Sequence, residues 1–301
     1  MSTVPFSPPE SGPASAISPG AELALSILAS RKAQFGLAVV LLIVVCALFS
    51  PWLAPYDPAA QSLSMRLKPL FSTAANGNFH LLGTDQLGRD VLSRIIYGAR
   101  VSLIVGMAVA FVASLLGVVL GLIAGYFGRA VDAVIMRLCD IQLALPPILL
   151  AIAVLAITGS SLVNVVLILA LTQWVAFARI VRGATLAERE KEYVLAARAL
   201  GFGPGRIIFR YILPNVFAPI IVIATFSVAQ TIIAEAALSF LGLGMPNSVP
   251  SWGRMLADGR TYLSIAWWLA TVPGLFITLC VVGINLLGDW LRDYLDPKLK
   301  V

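Results

Sequence analysis

The sequence predicts an all-α membrane protein with six transmembrane helices, on three observations. Of its 301 residues 59% are apolar and only 12% charged, with a mean hydropathy of +0.92. A soluble domain carries about 25% charged residues, so the missing polar surface corresponds to area that faces acyl chains. Long windows without Asp, Glu, Lys or Arg recur along the chain, and about 20 such residues cross the ~30 Å hydrocarbon layer as a helix. Segments of alternating hydropathy are missing, which argues against an outer-membrane barrel.

The windows give the elements in order. Residues 1–30 are expected as a flexible cytoplasmic tail, because their first part is rich in Pro, Ser, Gly and Ala and builds no core. The first apolar run, Phe35 to Ala54, is long enough to span and closes on an interfacial Trp52, so residues 31–55 read as a retained helix and not a cleaved signal peptide. An extracytoplasmic loop follows over 56–98, then a five-helix core over 99–299. Val101 to Gly128 is the second span. The charge-free stretch Ile141 to Ala178 would measure about 57 Å as one helix, so it must fold back. The turn signal Thr158-Gly159-Ser160-Ser161 places that reversal, giving spans at 137–157 and 162–182. Tyr211 to Ala234 and Thr261 to Gly288 form the last two, and Pro146-Pro147 and Pro273-Gly274 predict interruptions of the third and sixth spans.

Six spans leave both termini on one side. Placing them in the cytoplasm puts fourteen of the 21 Lys and Arg residues inside. Five of the others, Arg66, Lys68, Arg89, Arg94 and Arg100, belong to or border the long first loop, where the charge rule is weak. The net charge of +6 thus bears on topology, with lipid and not nucleic acid as the partner. Cys46, Cys139 and Cys280 lack any CxxC spacing and read as packing residues.

The segment from Glu188 to Asn215 lies between the fourth and fifth spans and is the longest cytoplasmic connection. It reads as a helical piece, Glu192 to Leu200, a break at Gly201-Phe202-Gly203-Pro204-Gly205, and a second helical piece before Pro214. On composition alone a basic interfacial helix at the lipid headgroups fits equally well. The order of Ala196, Ala197, Gly201, Leu213 and Pro214 resembles the signature loop of binding-protein-dependent ABC importer permeases. Three further blocks are similar to the dipeptide, oligopeptide and nickel branch, in its second, C-type permease: Leu81 to Leu103, Glu235 to Gly244 with Pro250 to Leu256, and Gly288 to Pro297. The resemblance implies the type I importer permease fold in a bacterial inner membrane. It also implies a heterodimer with a homologous permease, two ATPase subunits that hold the ATP and Mg²⁺, and an extracytoplasmic solute-binding protein. It assigns ATPase docking to residues 184–215, through Glu192, Ala196, Ala197, Arg198, Gly201, Leu213 and Pro214. Small side chains at Ala196, Ala197 and Gly201 would let a short helix seat closely on another protein.

An external engine agrees with what the chain lacks. None of the five lysines follows a glycine, so no Walker phosphate loop exists, and the lone His80 excludes HExxH zinc chemistry. We therefore expect no catalytic residue, metal or cofactor in this chain. Asp85, Arg89 and Asp90 read either as solvated surface pairs or as contacts to the receptor or a substrate terminus. Gly117, Gly121 and Gly125 repeat every four residues and suit close helix packing. Asp140 is spaced to pair with Arg137, and Glu235 reads as a pathway carboxylate or as the partner of a nearby arginine. Glu235 is also what an ion-gradient-driven secondary transporter, the competing reading, would need. An intramembrane enzyme stands third.

Overall fold

The computed structural model describes residues 19–74, 77–246 and 248–295. The expectations for residues 1–18 and for Pro297, Lys298 and Lys300 lie outside them. α1 (Pro19–Ala29) is helical where a tail was expected, because Glu22-Leu23-Ala24-Leu25 opens a run of good helix formers. α2 (Arg31–Leu48) starts on Ser30, whose hydroxyl accepts the Ala33 N–H at 3.3 Å, and α3 (Ser50–Leu53) adds one turn with Pro51 in its first position.

The 54–90 loop carries a 3₁₀ turn at Leu63–Met65 and a small antiparallel ribbon pairing β1 (Ser72–Thr73) with β2 (Phe79–His80). α4 (Val91–Phe127) then runs 37 residues without proline. It begins well before the expected Val101 because Asp90 caps it, accepting the Ser93 N–H at 2.7 Å, and the charges of Arg94 and Arg100 end the apolar window without ending the helix.

α5 (Arg129–Leu143) and α6 (Pro147–Thr158) form the expected third span as a broken pair, bent by 81° at Pro146. α7 (Leu162–Glu188) follows the predicted turn, with the Ser161 hydroxyl accepting the Asn164 N–H at 3.1 Å. Next come α8 (Glu192–Ala199), α9 (Pro204–Ile207) with a π turn at Ile208–Ile212, α10 (Phe217–Phe240), α11 (Trp252–Arg260) and α12 (Trp268–Leu295). Pro273 interrupts the ladder of α12 as expected, removing one bond in its second turn, while the 28-residue helix continues through it. Among the described residues five helices are long and apolar enough to cross a bilayer, and the bent α5–α6 pair, counted as one span, makes six.

α4 is the spine. Its first turns pack with α2, α11 and α12 around Ile95, Trp252 and Ile284; its middle packs with α6, α7 and α10 around Val109, Leu155 and Phe177; its end reaches Leu122 and Val181. α4 and α7 run parallel along Gly117, Gly121 and Gly125. A Cβ at Gly117 would lie 2.4 Å from both the Phe177 Cβ and the Trp174 carbonyl oxygen. Outward side chains such as Phe111, Leu48 and Ile157 are 67–88% exposed, the surface lipid covers.

Candidate functional site

The chain after α7 folds into a hairpin braced against one end of the bundle. Val194 and Ala197 are three apart, share the inner face of α8 and are buried against Leu122, Val181 and Ile207. Glu192, Leu195, Ala196 and Leu200 point outward, Leu195 and Leu200 being 45% and 74% exposed. α8 ends in a Schellman motif: the Gly201 N–H bonds to the Arg198 carbonyl at 2.9 Å and the Phe202 N–H to the Ala197 carbonyl at 3.1 Å. Arg198 lies 5.0 Å over the Tyr126 ring at the end of α4, and Arg189 Nη1 donates to the Gly125 carbonyl at 2.9 Å. At the root, Lys191 pairs with Glu188 at 2.6 Å, and the Tyr193 hydroxyl donates to the same carboxylate. Burial, then the Glu188 carboxylate, push the Tyr193 phenol up to about 12, so it remains a donor throughout the neutral range. Leu213 is half-buried and Pro214 exposed in the turn before α10.

One detail bears on the expectation of a uniform small-residue contact face. Ala197 faces its own bundle, because it shares a helical face with Val194, and only Ala196 of the pair is offered outward. Gly201 has φ +79°, the left-handed angle that the turn after α8 requires and that favours glycine. Gly201→Ala is expected to cost only about 1 kcal/mol, seen as a small shift in thermal unfolding in detergent.

The opposite end holds a cluster of charges. Asp85 Oδ1 accepts the backbone N–H groups of Leu87 and Arg89 at 2.8 and 2.9 Å, and its Oδ2 takes Arg89 Nε at 2.6 Å together with Arg94 Nη1. Asp258, on α11, lies 3.1 Å from Arg254 and 4.0 Å from Arg89. Asp90 Oδ1 meets His80 Nδ1 at 2.8 Å, while Oδ2 caps α4. Asp85, Arg89 and Asp90 are 4%, 8% and 3% exposed, so the solvated pairing expected of them is replaced by a buried network. The loop folds over the start of α4 and excludes water, so losing one member would leave an uncompensated buried charge.

Glu235, on α10, is also buried and receives the hydroxyls of Ser239 at 2.7 Å and Ser251, the cap of α11, at 3.0 Å. Among the described residues no arginine lies within ion-pair distance of it, so two hydroxyls replace the expected cation. Asp140 likewise pairs across to Arg179 on α7 at 2.5 Å and not with Arg137, because antiparallel packing of α5 on α7 brings the two together. Sequence reasoning missed Arg94, Arg254, Asp258 and Tyr126 as site residues: Arg94 and Tyr126 meet partners on other elements, and the i, i+4 pair Arg254–Asp258 joins the cluster only through Arg89.

The family model of the binding-protein-dependent transport system inner membrane component matches residues 117–301. The chain belongs to that family. A second model, the N-terminal TM domain of oligopeptide transport permease C, matches residues 18–69 of this permease chain, in agreement with the C-type resemblance of its sequence blocks. The permease is 47% identical over 283 residues to the di/tripeptide transport system permease protein of Pseudomonas aeruginosa, covering 94% of this chain and 93% of that one. It is 47% identical to the dipeptide transport system permease protein of Escherichia coli, covering 90% of each. It is 46% identical to the glutathione transport system permease protein of Pectobacterium atrosepticum, covering 87% of this chain and 85% of that one. In fold it is similar to a chain of the MetNI methionine ABC transporter in an inward-facing conformation, with TM-score 0.54 and 19% identity over 67% of this chain and 96% of that one. The hairpin lies inside the first matched range; the Asp85 to Arg94 cluster lies between the two.

Proposed function

We propose that this chain is one of two permease subunits of an ATP-driven importer of di- and tripeptides in a bacterial inner membrane, with both termini cytoplasmic. A homologous permease completes the pathway, an extracytoplasmic binding protein delivers solute, and two separate ATPase subunits hold the ATP and Mg²⁺. The observation that carries this reading is the form of the hairpin. Its inner face is locked onto α4 and α7 through Val194, Ala197, Arg189 and Arg198, while Glu192, Leu195, Ala196 and Leu200 are left outward with no lipid-length apolar stretch behind them. A short helix with a rigid root and an exposed apolar tip is shaped to fit a groove on another protein. Pushing on it displaces the ends of two membrane helices as a body. The names of the relatives in Pseudomonas and Escherichia support the small-peptide substrate class.

The test reconstitutes this chain with and without its partner subunits. Uptake of a labelled dipeptide should require ATP and the whole assembly, and Leu200→Glu or Ala196→Glu should lower it by at least about tenfold with insertion unchanged, the effect of burying a charge at an apolar contact. Accumulation by this chain alone under a proton or sodium gradient would overturn the ATP-driven reading. Normal uptake by both variants would overturn the docking role.

A further inference from the structure

Within the cluster one carboxylate serves two guanidinium groups. Arg89 and Arg94, 8% and 2% exposed, share the single carboxylate of Asp85, and Asp258 lies nearer to Arg254 than to Arg89. Three guanidinium groups thus face two carboxylates. The next carboxylate, Asp90, is committed to His80 and to the first turn of α4. Among the described residues, the buried Nε of Arg94 has no hydrogen-bond partner. Buried guanidinium N–H groups are ordinarily hydrogen-bonded, and one left open is costly unless an acceptor completes it.

Both arginines line a cleft of about 410 Å³ walled by Pro58, Gln61, Leu87 and Ser248. That volume lies within the range of about 300–1,000 Å³ found for small-molecule sites, which are mostly apolar with a few convergent polar groups. We infer that this cleft is a carboxylate-recognition subsite for the transported solute, taking the C-terminal carboxylate of a small peptide on Arg89 and Arg94. The inference rests on the import reading above and names the chemical group that this end of the chain selects. Guanidinium groups match carboxylates in geometry and form charge-assisted bonds to them. An acidic side chain of a docked receptor carries the same group but would fill only part of the cleft, whereas a di- or tripeptide fills it while its terminus reaches the recessed arginines.

The experiment uses the whole assembly in nanodiscs without the receptor, probed with Ala-Ala and with its C-terminal amide by saturation-transfer NMR. The free acid is expected to give a contact at least about tenfold stronger than the amide, the worth of one charge-assisted bond. Ser248→Asp sets a competing carboxylate on the rim from an exposed position, so it tests the cleft without disturbing the buried network, and it should abolish the preference, as should Arg89→Gln. In ATP-driven uptake Ser248→Asp should also raise the KM for Ala-Ala. Equal contacts for acid and amide, or a preference that survives both variants, would overturn the subsite. An altered KM for the receptor with the NMR preference intact would give the anion to the receptor and overturn it too. Failure of the import reading is distinct: the unmodified assembly with receptor would then take up neither peptide.

Discussion

Gly117→Leu is expected to prevent the folded chain from accumulating in the membrane. The position faces a close approach of α4 to α7, where even a methyl group would meet the Phe177 Cβ and the Trp174 carbonyl oxygen at 2.4 Å. One neighbour is backbone, so the conflict is relieved only by moving one helix off the other. That separation would also undo the fits at Gly121 and Gly125, where a Cβ would lie 2.7 Å from the Ala178 carbonyl and 2.6 Å from the Thr185 Cβ. Overpacking of this kind costs about 3 kcal/mol or more when three successive contacts open together. Gly183→Ala is the control: it lies on α7 with nothing within 4 Å, and it should stabilise by about 0.5–1 kcal/mol through helix propensity alone. Membrane-fraction yield and thermal unfolding in detergent read both variants, and a Gly117→Leu chain as stable as the unmodified one would refute the close packing.

Asp85→Ala is expected to destabilise the chain by about 3–5 kcal/mol, the cost of leaving buried guanidinium groups without their counter-ion. The carboxylate holds two arginines and two backbone N–H groups, so its loss also frees the turn that covers the start of α4. Adding Arg94→Met should recover part of the loss, because the removed charge no longer needs an acceptor, and the two changes should couple strongly in a double-mutant cycle. Asp140→Ala gives the contrast: the Asp140 and Arg179 side chains are 56% and 47% exposed, and such a pair is worth less than about 1 kcal/mol. Equal effects at Asp85 and Asp140 would contradict the difference in burial. Thermal unfolding of the solubilised chain measures all four.

The parts of this molecule that were legible in its sequence are those whose cause is local. Helices longer than the bilayer is thick, the reversal after Thr158 and the break at Pro146 depend on neighbours within a few residues. So does the hairpin, whose glycine follows an alanine-rich turn and caps it. The start of α4 was misplaced because a charge-free window measures lipid exposure and not helicity; the cap at Asp90 and Ser93 is visible in sequence but lies outside that window. α11 was missed as a helix, being nine residues long and amphipathic, with only the Ser251 cap to announce it. The charge cluster could not be read because its burial is decided by the loop folding over α4 and by Asp258 arriving from α11, far along the chain. Two carboxylates and an arginine close together in a loop look the same whether water covers them or not.

One rod about 56 Å long carries the arginine of the solute cleft in its first turn and the footing of the hairpin in its last, with no proline between them. Such a rod tilts as a unit, so a few degrees of torque at one tip sweep the other through several ångströms. On the import reading proposed above, occupancy at one end and engagement at the other are then two readings of a single angle.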